Sequence, residues 1–274
     1  MPSEADSATL DIASLRHLCD DLARSAGSFA LDARRSLGPG ARAAHETKSS
    51  DVDPVTEFDR SAEALVVDRL RTERPDDAIV GEEGAADSGT SGLEWHIDPI
   101  DGTVNFVYDL PGWCTSIAVL RDGEPVAAAV YAPAVDELYS AAIGAGATLN
   151  DQPIGVSVHT DLATGLAATG FSYHLDGHRV RQAQRIARVL PNVRDIRRQG
   201  SAALDLSYVA AGRVETYFEE FINSWDVAAG VLLVREAGGI VTAFDGSDLS
   251  VPNPDGVVAA GPALHAAVLE LIDD

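Results

Sequence analysis

A layered protein of mixed α and β structure is expected, and three features of the chain carry that expectation. The first half sets two amphipathic helical segments ahead of strands joined by tight turns, a pattern that builds an antiparallel sheet. The second half alternates strand and helix, which builds an α/β layer packed against it. The turn Asn150-Asp151-Gln152-Pro153 separates the two patterns, so residues 1–150 read as an α+β half and 151–274 as an α/β half. At 274 residues the chain can bury a sizeable core, in one large domain or two closely packed ones.

Taken in order, Ile12, Leu15, Leu18, Leu22, Phe29 and Leu37 recur at roughly helical spacing until Gly38-Pro39-Gly40 stops the run, giving a helix over 11–37. Residues 41–57 are polar and extended. Asp59 then caps a second helix reaching about Arg71, with Ala62, Leu65, Val66 and Leu70 inward and Pro75 beyond its end. Ala78-Ile79-Val80 is a short strand running into Gly81-Glu82-Glu83-Gly84, and 85–92 is a small, polar loop. A strand around Trp95 breaks at Pro99. Strands over 116–120 and 126–131 flank the turn Arg121-Asp122-Gly123-Glu124, and 137–142 and 147–149 extend the antiparallel set. In the second half, strands are expected over 166–171, 193–196, 214–218, 240–244 and 257–260. Helices are expected over 179–189, 201–211, 225–237 and 263–272.

Composition excludes several function classes. The hydrophobic fraction of 46% is that of an ordinary soluble globular protein. No apolar run approaches the roughly 20 residues of a membrane helix. Met1 to Leu10 has neither the basic start nor the apolar stretch of a signal peptide, so a cytoplasmic location without a membrane partner is expected. Cys19 and Cys114 lie far apart without CxxC spacing and read as reduced structural thiols. The seven histidines show no zinc-binding spacing. A net charge of −23 argues against nucleic acid or an anionic membrane as the main ligand. An anionic substrate would meet the same repulsion unless divalent cations offset it locally. Lys48 is the only lysine, which singles it out.

The stretch from Trp95 to Phe106, Trp-His-Ile-Asp-Pro-Ile-Asp-Gly-Thr-Val-Asn-Phe, concentrates the chemistry. Pro99 and Gly102 punctuate a backbone that cannot run on as regular strand, so Asp98 and Asp101 sit on a bend where both can face one point. Gly102 and Thr103 amides at a helix start would form an anion seat beside them. Carboxylates next to a phosphate seat make sense with cations between the two. The simpler alternative is an Asp-Pro turn with a capping Asp. Glu82 and Asp226 fall likewise where a strand gives way to a loop or helix, the ends at which α/β folds collect ligand sites, although Asp226 alone could be an N-cap. Oxygen donors without His or Cys suit Mg²⁺ or Mn²⁺. Two such ions about 3.5–4 Å apart can clamp a phosphoryl oxygen, activate water and stabilise the leaving oxygen.

Gly81-Glu82-Glu83, the run Asp98 to Phe106, and Trp225-Asp226 with Glu236-Ala237-Gly238-Gly239 resemble the inositol monophosphatase family, within the lithium-sensitive, magnesium-dependent sugar-phosphatase superfamily that includes fructose-1,6-bisphosphatase. The resemblance runs from about Lys48 to Gly246 with the motifs in order. It implies a layered αβαβα sandwich with the metal site between the halves, most ligands coming from 1–150. Glu82, Asp98 and the Ile100 carbonyl would hold a first ion. Asp98, Asp101 and Asp226 would hold a second, and Glu82 with waters a third. Thr103, oriented by Asp59, would help Glu82 activate the attacking water, and the Gly102 and Thr103 amides would bind phosphate. Lys48 would stand near the metal-bound waters, although a surface charge is its simpler reading, as a helix cap is for Asp59. Glu83 would support its loop.

The family's polyol contacts fall on Asp101, Gly200, Ser201, Ala202, Glu219 and Asp226. Residues 200–213 are similar to the bacterial inositol-1-monophosphatases, and Phe171 departs from a stretch that offers a hydroxyl in animal members. The expected activity is therefore Mg²⁺-dependent hydrolysis of inositol-1-phosphate or a similar polyol phosphate, by a protein that family habit would make a homodimer. Histidinol phosphate, fructose-1,6-bisphosphate and phosphoadenosine phosphate are alternative substrates. A regulatory binding protein on the same fold is the alternative of a different class.

Overall fold

The computed structural model describes residues 11–48, 54–173 and 177–273. Helix α1 (Ile12–Ser36) opens at Asp11, whose carboxylate accepts from the Ser14 amide at 3.1 Å, and closes at Leu37 just ahead of Gly38. Leu15, Cys19, Leu22, Ala23, Ala26 and Ala30 form its buried stripe at helical spacing. Short strands β1 (Glu46–Thr47) and β2 (Pro54–Val55) pair antiparallel and lead into α2 (Glu57–Glu73). Here the expected cap is corrected. Thr56 is the N-cap, and Asp59 is the third helical residue, returning a bond to the Thr56 amide at 2.8 Å. Thr-x-x-Asp makes a capping box in which each side chain satisfies the other's orphan amide.

Strand β3 (Ala78–Gly81) is followed by β4 (Ala86–Asp87), which lies within the stretch expected as loop. Strand β5 (Leu93–Asp101) does not break at Pro99 as expected but carries on through it. Its pairing with the next strand slips between Asp98 and Asp101, and a bulge there leaves no ladder position that needs the missing proline N–H. The Pro99 carbonyl instead accepts from Thr115 Oγ1 at 2.8 Å. After the short helix α3 (Thr103–Val107) come β6 (Cys114–Arg121), β7 (Glu124–Ala132), β8 (Glu137–Ala142), β9 (Gly146–Leu149) and β10 (Gln152–Pro153). They complete an eight-stranded sheet in the order β10-β9-β8-β7-β6-β5-β3-β4, parallel only between β3 and β5.

The second sheet takes β11 (Leu166–Thr169), then, past α4 (His178–Val189), β12 (Asp195–Arg197). Helix α5 (Ala202–Ala210), β13 (Thr216–Glu220), α6 (Ser224–Glu236), β14 (Ile240–Thr242), β15 (Gly256–Ala260) and α7 (His265–Ile272) follow. Its order is β12-β11-β13-β15-β14, with β11 parallel to both neighbours and β15 antiparallel to both of its own. Strand β11 stops at Thr169, short of the expected Phe171, so Gly170 to Tyr173 leave the sheet as loop.

Strand alternation sorts the large sheet's side chains between two cores. Trp95, Ile97, Ile117 and Val119 face α1 and α2, whereas Cys114, Ala118 and Leu120 join residues of α5 and α6 on the other side. Helices α5 and α6 also pack on the small sheet, whose far face carries Val189 of α4 with Val268 and Ile272 of α7. The layers therefore run helix, sheet, helix, sheet, helix, the αβαβα sandwich expected. Among the described residues no helix is long and apolar enough to cross a membrane. Cys19 and Cys114 are buried, unbridged thiols.

Candidate active site

One cleft of about 370 Å³ gathers Lys48, Glu82, Asp98, Ile100, Asp101, Gly102, Thr103, Gly200, Ser201, Ala202, Glu219 and Asp226. Of the site residues expected from the sequence, only Asp59 is absent from its lining, and it stands directly behind Thr103. Three elements deliver the four carboxylates. Glu82 follows the last residue of β3, and its amide donates to the Ile97 carbonyl at 3.1 Å. Asp98 lies on β5 and accepts from the Ile100 amide at 3.0 Å. Asp101 closes β5 and accepts from Ser201 Oγ and the Ala203 amide, both at 2.7 Å, across from the start of α5. Asp226 is the third residue of α6 and accepts from the Asn223 amide at 2.7 Å in a second capping box. It is therefore not the N-cap itself.

Gly102 turns the chain from β5 into α3 with φ +97°, a left-handed conformation that glycine adopts without a Cβ penalty. The first amides of α3 have no acceptor within the helix. Thr103 Oγ1 stands 3.2 Å from Asp59 Oδ1 and 3.1 Å from the Ile100 carbonyl oxygen. Lys48 Nζ bridges Glu82 at 3.0 Å and Glu83 at 2.5 Å, so Glu83 is engaged by the lysine, while Glu63 of α2 accepts from the Glu83 and Ala85 amides at 2.8 and 3.1 Å. The two serines and the aspartate after Lys48 lie outside the described residues.

Crowding like charges into this volume raises their proton affinity. Burial, then the charges of Glu82, Asp101 and Asp226, push Asp98 well above the usual carboxylate range. Burial, then Glu82 and Asp101, do the same to Asp226. Burial lifts Asp101 to about 6 against its bonds from Ser201 and Ala203. It also raises Glu82, which the Lys48 charge opposes. Desolvation carries Glu219 to about 7, with the Tyr217 hydroxyl donating to it at 2.6 Å. A cluster of hard oxygen donors that resist ionising together suits divalent cations in kind and in charge. Among the described residues, no three His, Cys, Asp or Glu side chains already close around a single point. The fit is one of donor chemistry and electrostatics, without a preformed cage.

The cleft is also lined by residues that the sequence did not single out. Ser172 and Tyr173 line the cleft beside Phe171 and return hydroxyls to a stretch whose phenylalanine had suggested their loss. Arg198 also lines it, its guanidinium 5.9 Å from the Phe171 ring centre. Its place two residues before Gly200 was the available signal. Phe221 and Asn223 enter through the turn between β13 and α6, which periodicity cannot place.

Comparison with known proteins agrees with this geometry. The model of the inositol monophosphatase family matches residues 14–274. The inositol-1-monophosphatase SuhB of Mycobacterium tuberculosis is 42% identical over 275 residues, covering 94% of this chain and 92% of the relative. The Nus factor SuhB of Xylella fastidiosa is 43% identical over 226 residues, covering 82% and 80%. Among solved structures, the extragenic suppressor protein suhB of Bartonella henselae has a TM-score of 0.88 at 32% identity, covering 95% of this chain and 99% of the other. The Thermotoga maritima IMPase has a TM-score of 0.84 at 35% identity, covering 94% and 96%. A match of this extent in both sequence and fold settles the grouping: the chain belongs to the inositol monophosphatase family of phosphoric monoester hydrolases.

Proposed function

We propose that this chain hydrolyses inositol-1-phosphate or a similar polyol phosphate, with two to three Mg²⁺ ions held by Glu82, Asp98, the Ile100 carbonyl, Asp101 and Asp226, and with Mn²⁺ as a substitute. The observation that carries the reading is that one cleft gathers a carboxylate cluster, helix-start amides and Glu219. Once bound, the divalent ions supply Lewis acidity and lower the pKa of water towards neutrality. The Gly102 and Thr103 amides orient the phosphate. Thr103 Oγ1 has one proton to give, and the Ile100 carbonyl and Asp59 compete for it at nearly equal distance. Commitment of the Ile100 carbonyl elsewhere sends that proton towards Asp59 Oδ1 and leaves the Thr103 oxygen to accept from the attacking water. Lys48 offsets the charges of Glu82 and Glu83. Glu219 and the segment Gly200-Ser201-Ala202 would hold the polyol, since a carboxylate accepts hydroxyl donors.

Phosphate release is the test, measured on inositol-1-phosphate, histidinol phosphate, fructose-1,6-bisphosphate and phosphoadenosine phosphate with Mg²⁺, with EDTA, and with Li⁺ added. Turnover of inositol-1-phosphate that EDTA abolishes and Li⁺ inhibits is expected. Activity indifferent to EDTA would overturn the metal assignment, and preference for histidinol phosphate would overturn the substrate. Relatives called Nus factor SuhB favour a second reading, a partner-binding role on the same fold. Partner binding would survive Asp98→Asn, whereas hydrolysis would not. The homodimer rests on family resemblance, and light scattering of the purified chain tests it.

A further inference from the structure

Strand β5 sends more than Asp98 to the α6 side of the large sheet. Residues 94, 96 and 98 alternate onto that face, while Trp95 and Ile97 enter the opposite core. His96 is only 2% exposed, and both of its ring nitrogens are engaged. Nε2 lies 2.7 Å from Glu94 Oε1, and Nδ1 lies 2.8 Å from Ser224 Oγ. Ser224 is the first residue of α6, two before Asp226. The partners fix the tautomer. Nε2 donates to the Glu94 carboxylate oxygen, and Nδ1 then accepts from the Ser224 hydroxyl. Ser116, paired directly opposite Asp98, donates from its hydroxyl to the Trp225 carbonyl at 3.1 Å. The first turn of α6 is thus tied to β5 and β6 at successive residues, 224 and 225, immediately before the carboxylate at 226.

We propose that Glu94, His96 and Ser224 form a strut that sets the spacing of Asp226 from Asp98, and through it the affinity of the cleft for divalent cations. The proposal rests on the metal role proposed above for those two aspartates. Asp98 and Asp226 come from different layers of the fold, so neither element alone fixes their separation. A buried imidazole bonded at both ends is stiff where a long flexible side chain would give. Groups that orient ligands without touching the ion commonly govern its affinity by 10–100-fold. His96, Ser224 and Glu94 are positioning residues in this sense.

The test is Mn²⁺ binding to the metal-free full chain by titration calorimetry, for the wild type, Ser224→Ala, Ser224→Thr, His96→Leu and Asp226→Asn. Ser224→Ala and His96→Leu should weaken Mn²⁺ by about ten-fold, at the lower edge of that range, with Ser224→Thr near wild type because it keeps the hydroxyl. Nitrogen-15 NMR of the metal-free imidazole should report the neutral Nε2–H tautomer. Its Nδ1 resonance should move in Ser224→Ala and return in Ser224→Thr, a response that loss of packing alone does not produce. If His96→Leu fails to fold, Ser224→Ala, which removes one oxygen, carries the test. Wild-type Mn²⁺ affinity in Ser224→Ala, alongside impaired Asp226→Asn, overturns the strut and leaves the metal assignment standing. Undiminished binding by Asp226→Asn removes the metal assignment, and the strut with it.

Discussion

Stripped of cations, the cleft should destabilise the fold at neutral pH, and Asp101 allows the effect to be worked out. Burial raises its pKa from an ordinary 3.8 to about 6. Between those values the folded chain keeps a proton that the unfolded chain has lost. The stability it contributes is fully present below the unfolded value and is lost as pH rises through the folded one. Raising the group from 3.8 to about 6 is worth roughly 3 kcal/mol in all. About half of that remains to be lost above pH 5. A chain of this length loses about 2 °C of melting temperature per kcal/mol, so Asp101 alone should lower the midpoint by about 3 °C between pH 5 and 7.5. Glu219, at about 7, acts in the same direction. The assay is scanning calorimetry in EDTA of wild type and Asp101→Asn at both pH values. The variant differs by one charge, so the general self-repulsion of a chain at −23 largely cancels in the comparison. The wild-type drop should exceed that of the variant by about 3 °C. Mg²⁺ should shrink it, because cations bind the ionised carboxylates. Equal drops in the two proteins would refute the reasoning.

Further predictions concern the site directly. Asp98→Asn, Glu82→Gln and Asp226→Asn should each cut kcat by more than the roughly 10–100-fold typical of residues that merely orient a ligand; near-normal steady-state turnover in any of them would remove that residue from the metal set. In Gly170→Ala, the new Cβ would lie 1.9 Å from Glu219 Oε2, so the carboxylate must move. KM for the polyol phosphate should rise while that for a simple aryl phosphate changes little, and parallel changes would deny Glu219 a part in polyol binding. In Gly81→Ala, the new Cβ would lie 2.3 Å from Glu63 Oε2, against the carboxylate that holds the Glu83 and Ala85 amides. Mn²⁺ affinity should fall because Glu82 rides on that loop, and an unchanged affinity would mean the loop does not set Glu82.

What could be read from the chain followed from periodicity and from turn chemistry. The buried stripe of α1 and the strand-turn-strand run of β6 and β7 were legible because each uses one regular repeat. Pro99 misled because its missing N–H normally ends a ladder, and only the register slip against β6 reveals that no bond was needed there. The carboxylates were legible as a group because each sits beside punctuation: Gly81, Pro99, Gly102 or the start of a helix. The rest of the cleft's lining was not. Tyr173, Arg198 and Phe221 converge on the cleft from residues 173 to 221 through loops and strand ends, and no local pattern encodes that convergence. His96 looked like an ordinary strand residue, since its partner Ser224 is 128 positions away.

The plainer readings of Asp59 and Asp226 as helix-terminus residues turn out to be geometrically apt and yet no rival to a role in the site. Each is the third residue of its helix and returns a bond to the amide that precedes it. Asp101 does the equivalent for α5 by accepting from the Ala203 amide in its first turn. A helix start carries about half a positive charge, and bonds from its amides stabilise a carboxylate that burial would otherwise neutralise. In Asp226 and Asp101 the backbone bonds oppose the upward shift from burial. Each also uses one oxygen: Asp226 Oδ2 faces the Asn223 amide, and Asp101 Oδ2 faces Ser201 and Ala203. A carboxylate has a second oxygen, and a cap needs only one. The same bond that starts the helix therefore fixes the side chain, lowers the cost of its charge and leaves the second oxygen uncommitted to the cap. Reading a capping aspartate as structural or as functional poses a choice that this fold does not make.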